Sequence, residues 1–111
     1  MLAARPDQKV LGYLGRALTL ELSAVQQYST QAQLVASWGL TEAAASFRKE
    51  AGEELRHADR IVARMLAVGA APGGSQLRPV RLAPDLATLL QIDQQFEADV
   101  IHMYQAAARY C

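Results

Sequence analysis

Glu54 and His57 stand three positions apart in the stretch EELRHADR at residues 53–60. Three residues is almost one helical turn, so both side chains leave a helix on the same side. Glu21, Asp93 and Glu97 fall at core-side positions of two further helical segments. A single acid on such a stripe is usually a boundary residue or a salt-bridge partner, and a single histidine near a core is usually a hydrogen-bonded packing residue. Here the stripes of all three segments hold no lysine or arginine to pair with the acids. Several ionised carboxylates buried without partners would cost several kcal/mol each. A bound cation removes that penalty, and carboxylate oxygens with an imidazole nitrogen suit iron or manganese.

The segments that must position these groups are helical by period. Val10, Leu14, Ala17, Glu21, Ala24, Tyr28, Gln31, Val35 and Trp38 alternate spacings of four and three, which is a helix seam. Asp7 is the expected N-cap, and Trp38-Gly39-Leu40 the expected stop, with Gly39 at C′. Thr41 is expected to cap a second helix with Glu42 in its first turn. Its seam is Phe47, Ala51, Glu54, Ala58, Ile61, Met65 and Val68, ending near Gly69. The short connection makes the first two helices an antiparallel hairpin.

Residues 69–83, GAAPGGSQLRPVRLA, are too rich in glycine and proline for a helix and read as a crossover along the outside of a bundle. Pro84 and Asp85 open a third helix, with Leu86, Leu90, Asp93, Glu97, Val100, Tyr104, Ala107 and Cys111 as its seam. The fold class is therefore all-α, a single domain over 1–111. Glu21, Glu54 and Glu97 each lie about midway along their helices, so antiparallel packing brings them to one level. Three helices leave an open side on a bundle whose natural number is four, and YQAAARYC runs on without a stop signal. The expectation is a domain incomplete at its C-terminus.

Bulk composition narrows the function classes. Eleven basic and eleven acidic side chains cancel, which argues against nucleic acid or an anionic membrane as the main partner. No apolar run approaches the roughly 20 residues of a membrane span, and MLAARPDQKV lacks a secretory h-region. Cys111 is the sole cysteine, so no internal disulfide forms, and a reducing cytoplasm is the expected home. There is no Ser-His-Asp set, no internal cysteine nucleophile and no Gly-rich phosphate loop.

Ferritin-like di-iron carboxylate bundles use one Glu from each of two helices and Glu-x-x-His from each of the other two. Glu54-Leu55-Arg56-His57 is one such motif, with Glu21 and Glu97 as the single glutamates. Through LELSAVQQY (20–28), SWGL (37–40), EELRHADR (53–60) and IDQQFEADV (92–100), the chain resembles bacterioferritin, the bacterial iron-storage ferritin. The resemblance implies a ferritin-like four-helix architecture with three helices present. It implies that Glu21, Glu54, His57 and Glu97 are ferroxidase-centre ligands. Glu54 would bridge two irons, Glu21 and His57 would hold one, and Glu97 would belong to the second.

Tyr28 matches a tyrosine near that centre, read either as an electron-transfer residue or as a seam aromatic. Asp93, one turn before Glu97, is a candidate for orienting a ligand. The implied substrates are Fe(II) with O2 or H2O2. The implied assembly is a homo-oligomer (a two-fold dimer or a hollow octahedral cage) or a mixture with a haem-binding subunit.

The chain departs from the family pattern in three places. The family's haem methionine corresponds to Leu55, and Met65 and Met103 are wrongly placed to substitute, so haem b is not expected through the usual ligand. Leu55, with Val62 and Leu66 on one outward stripe, is expected to pack a dimer. An inner-surface histidine of the family corresponds to Lys49, while Glu50 and Glu53 stay acidic. The second Glu-x-x-His is not found, and His102, five residues after Glu97, reads as a surface histidine.

Two completions of the site stay open: a fourth helix supplied in trans, or a first-and-second-helix hairpin doubled across a two-fold axis, in which Glu97 is not a ligand. A third reading is a non-catalytic helical oligomerisation or metal-binding subunit whose seam acids set register.

Overall fold

The structure is a computed structural model and describes residues 7–110, so Cys111, the last expected seam position, lies outside the described residues. Three helices and no strand occur among the described residues: α1 (Gln8–Ser37), α2 (Thr41–Ala67) and α3 (Leu86–Tyr110). None is long and apolar enough to cross a membrane.

Local chemistry sets the boundaries. Asp7 caps α1, its Oδ1 accepting from the Lys9 and Val10 amides at 2.7 and 3.4 Å. At the other end the Gly39 amide donates to Ala36 and the Leu40 amide to Val35, with Gly39 at φ 79°. That is a Schellman closure, and a side chain at Gly39 would strain the left-handed backbone it requires. The closure repeats at the end of α2, where the Gly69 and Ala70 amides donate to Leu66 and Met65 and Gly69 sits at φ 80°. Asp85 opens α3 by accepting from the Thr88 amide at 2.8 Å.

Thr41 does not cap α2. The N-cap is Leu40, which offers no side-chain bond, and Thr41 is already helical. The reason is the tightness of the turn: the Leu40 amide is bound back to Val35 while its carbonyl already accepts from Ala44. The helix therefore starts one residue earlier than the threonine predicts.

α1 and α2 pack along their length, α3 lies against α1, and no close α2–α3 approach occurs among the described residues. α1 is thus the central helix, which explains why its buried face is wider than a seam and includes Leu18, Leu20, Ser23, Gln27 and Ala32. One apolar cluster joins Ala24, Tyr28, Ala32 and Val35 to Ala44, Phe47, Ala51 and Leu89. A second joins Leu18 to Ala58 and Met65. Tyr28 and Phe47 stack with ring centroids 6.4 Å apart.

The crossover runs outside the bundle, strapped onto α1 by two buried polar side chains one turn apart. Ser23 Oγ accepts from the Arg78 amide at 2.9 Å, and Gln27 exchanges two 2.8 Å bonds with the Arg81 backbone. These bonds satisfy backbone that no helix or sheet serves.

The phase of α3 differs from the periodic expectation. Leu89 is fully buried and Leu90 is exposed. The backbone of α3 comes close to α1 alone, although Leu89 also joins the cluster that holds Ala44, Phe47 and Ala51 of α2, so the buried stripe of α3 is narrow and runs through Leu89 and Asp93. The expected seam residues Leu90, Glu97, Val100 and Tyr104 instead face the open side between α2 and α3, where they line cavities shared with α2.

Candidate metal centre

Between the two apolar clusters lies one acidic layer. On α1, Glu21 sits between buried Ala17 and Ala24; on α2, Glu54 sits between buried Ala51 and Ala58. The four alanines let the helices approach closely at this level and leave the carboxylates room that larger residues would fill. Both positions are mid-helix, so neither is loosened by fraying ends.

Glu21 is almost completely buried, Glu54 nearly so, and His57 is half-exposed. His57 Nδ1 lies 3.4 Å from Glu21 Oε2 and 3.4 Å from Glu54 Oε2. One donor atom from each of the three residues fits within 4.8 Å of the others, close enough to share one metal ion. Glu21 Oε2 is buried and has no hydrogen-bond partner, a position that costs about 1–3 kcal/mol or more for a charged group unless something binds there. Burial pushes the Glu54 carboxyl up to about 9; the Glu21 carboxylate beside it adds to the rise, as do Glu97 and Glu50. These donors fit a hard divalent cation on their own chemistry: a stranded oxygen, a suppressed negative charge and one imidazole nitrogen.

The centre opens into a cavity of about 370 Å³ lined by Glu21, Glu54, His57, Arg60, Ile61, Glu97, Val100 and Tyr104. Glu97 shares the cavity but lies outside the three-residue cluster, and its Oε1 accepts from the Tyr28 hydroxyl at 2.5 Å. Burial, then this bond, holds the Tyr28 phenol far above its usual range, so it stays a donor at neutral pH. Tyr104, on the opposite side, donates to Glu21 Oε1 at 2.9 Å, and its phenol is raised by burial and the nearby Glu21 charge.

Asp93 points to Gln31, accepting from its Nε2 at 2.8 Å, with burial raising its pKa against that bond. Asp93 Oδ2 and Gln31 Oε1 have no hydrogen-bond partner among the described residues. Leu55 is exposed on the far side of α2, Lys49 and His102 are on the surface, and Glu50 and Glu53 are half-buried.

Thus the structure brings Glu21, Glu54 and His57 together and places Glu97 and Tyr28 at their edge. Sequence reasoning counted Tyr104 as a seam residue only. The available signal was its spacing, seven residues after Glu97, matching Tyr28 seven after Glu21. Ser23 and Gln27 were also missed, since nothing local announces which loop amides they will meet.

Comparison with known proteins agrees with this architecture. The family described as Ferritin-like domain matches residues 11–111. A bacterioferritin from Rhodobacter capsulatus is 37% identical over 105 residues, which cover 95% of this chain and 65% of the relative. A bacterioferritin from Mycobacterium bovis is 32% identical with 95% and 66% covered. The chain thus spans about two thirds of the length of the curated relatives it matches.

The solved Rhodobacter capsulatus bacterioferritin, which has a metal-free dinuclear site and a haem iron, superposes with a TM-score of 0.92. It is 36% identical, and the match covers 97% of this chain and 68% of that one. Mycobacterium tuberculosis BfrA gives the same TM-score at 31% identity and the same coverage. With a family match over all but its first ten residues and bacterioferritins aligned along almost its whole length, this chain belongs to the ferritin family, among the bacterioferritins.

Proposed function

We propose that the chain carries the ferroxidase centre of an iron-storage protein, with Glu21, Glu54, His57 and Glu97 as metal ligands and Tyr28 beside them. The observation that carries this reading is the Glu21–Glu54–His57 cluster, with a buried carboxylate oxygen that has no hydrogen-bond partner among the described residues. Two ferrous ions are the substrate. Each gives one electron, reducing O2 to H2O2 or H2O2 to water with uptake of two protons, and the ferric product passes to a mineral core. The dinuclear site named for the Rhodobacter capsulatus relative supports a pair rather than a single ion.

Glu97 lines the same cavity as the cluster. That favours a centre that includes α3 over one made by the α1–α2 hairpin and its copy. The open side of the cavity is where the remaining ligands of a second metal position would enter, from another segment or another copy. Leu55 supplies no ligand atom for haem iron, so the chain is of the type that oxidises iron without binding haem through that position. We read it as a cytoplasmic homo-oligomer, or one mixed with a haem-binding subunit.

The test is aerobic addition of Fe(II) to the metal-free protein, followed by ferric-oxo absorbance, with Glu54→Ala and the particle mass measured in parallel. Oxidation well above the buffer rate in the wild type, falling to the buffer rate in Glu54→Ala, is the expected result. Equal rates with and without protein would leave a helical metal-binding or oligomerisation subunit as the better reading.

A further inference from the structure

Tyr28 follows Glu21 by seven residues on α1, and Tyr104 follows Glu97 by seven on α3. Seven residues is two helical turns, so each tyrosine lies on the same face as its glutamate. The contacts Tyr28–Glu97, Gln31–Asp93 and Tyr104–Glu21 show that α1 and α3 run antiparallel. In that register each phenol reaches the other helix's glutamate: Tyr28 donates to Glu97 Oε1 at 2.5 Å and Tyr104 to Glu21 Oε1 at 2.9 Å. The result is a crossed pair of Glu-x6-Tyr units joining the two helices across the centre.

The two phenols do different things to their carboxylates. Glu21 is the more deeply buried acid, and its second oxygen, Oε2, has no hydrogen-bond partner and lies 3.4 Å from His57 Nδ1. We propose that Tyr104 is a positioning residue for the metal centre: by holding Glu21 Oε1 it presents Oε2 alone as the donor atom, so that Glu21 binds through one oxygen. This rests on the reading of Glu21, Glu54 and His57 as a metal centre and adds the group that fixes their innermost member. A carboxylate free to turn about its last bond can chelate through both oxygens or swing away. One whose first oxygen is held by a neutral donor must break that bond to swing away, and its unbonded second oxygen is left as the better metal donor. Tyr104 reaches the site from the solvent side and is 41% exposed, so the constraint comes from a residue whose replacement leaves the apolar clusters intact.

The experiment is Co(II) titration of the full, metal-free chain and of Tyr104→Phe, read by visible absorption, which reports coordination number as well as occupancy. Tyr104→Phe removes one oxygen atom from a half-exposed ring, and far-UV circular dichroism checks that the helices are kept. The expected result is Co(II) affinity about 10- to 100-fold weaker with a lower absorption per bound ion, as Glu21 turns to chelate. Equal affinity and an equal spectrum would overturn the role of Tyr104 while leaving the metal centre standing. Weaker binding with an unchanged spectrum would also overturn it, since that is loss of packing rather than of orientation. Failure of the wild-type chain to bind Co(II) would overturn the metal centre and this inference together.

Discussion

Glu54 is the residue whose environment most changes its chemistry. Its ordinary value is 4.5, and burial with its acidic neighbours raises it to about 9. At neutral pH the native metal-free protein therefore holds a proton that the unfolded chain has lost. Where the folded state binds more protons, stability falls as pH rises. The contribution from Glu54 is complete below about pH 4.5 and is lost progressively on the way to pH 9. Metal-free protein in chelator should show a urea midpoint that drops between pH 5 and pH 9, and Glu54→Gln should flatten the drop. Parallel curves for the two proteins would show that Glu54 ionises normally. The same proton must leave when a cation binds, so metal affinity should rise with pH over the same window.

The helices were legible where their causes are local. Asp7, Gly39 and Gly69 act on amides within a few residues of themselves, and the structure uses all three as their types predict. The α1 and α2 stripes were legible along their middles because both helices have a partner there, while the expected end members Trp38 and Val68 are exposed. What could not be read was the phase of α3, whose backbone comes close to one helix instead of two, or the strap from Ser23 and Gln27 to backbone more than fifty residues away. The acids of the site were visible as misfits on apolar stripes. Tyr104 was not, because a tyrosine on a seam is no misfit.

The α3 phase gives a direct contrast between neighbours. Leu89 is 0% exposed against Ala24, Val35 and Phe47, whereas Leu90 is 52% exposed. Leu89→Ala should destabilise the chain by about 2–5 kcal/mol. Leu90→Ala should change it by well under half as much, both read by urea denaturation of metal-free protein. The reverse order would restore the simple seam.

At the scale of the whole molecule, two of the apolar surfaces left uncovered lie on either side of α2. One side is the open cavity beside α3. The other carries Leu55 and Leu66, 48% and 60% exposed, with the half-buried Val62 between them. The spacing of seven and then four residues keeps the three on one stripe, away from Glu54 and His57. None of them lines the metal-centre cavity. A stripe of this kind on a helix of 27 residues, about 40 Å long, can meet its own copy antiparallel across a two-fold axis, with Leu55 of each chain packing near Leu66 of the other. Such a contact would bury surface without altering the centre.

Placing a carboxylate at both leucines would force four charges into the apolar contact, a penalty no rim contact could offset. Leu55→Glu combined with Leu66→Glu should therefore shift the protein in sedimentation to the mass of the single 12.1 kDa chain. The wild type should sediment as a dimer or larger, and Co(II) binding should survive in the variant. A wild type that is already monomeric, or a variant that stays assembled, would move the self-association surface off this face of α2. The apolar surface along the cavity between α2 and α3 would then be the next face to join chains. In that case assembly and completion of the metal centre would be one event, and metal affinity would depend on protein concentration.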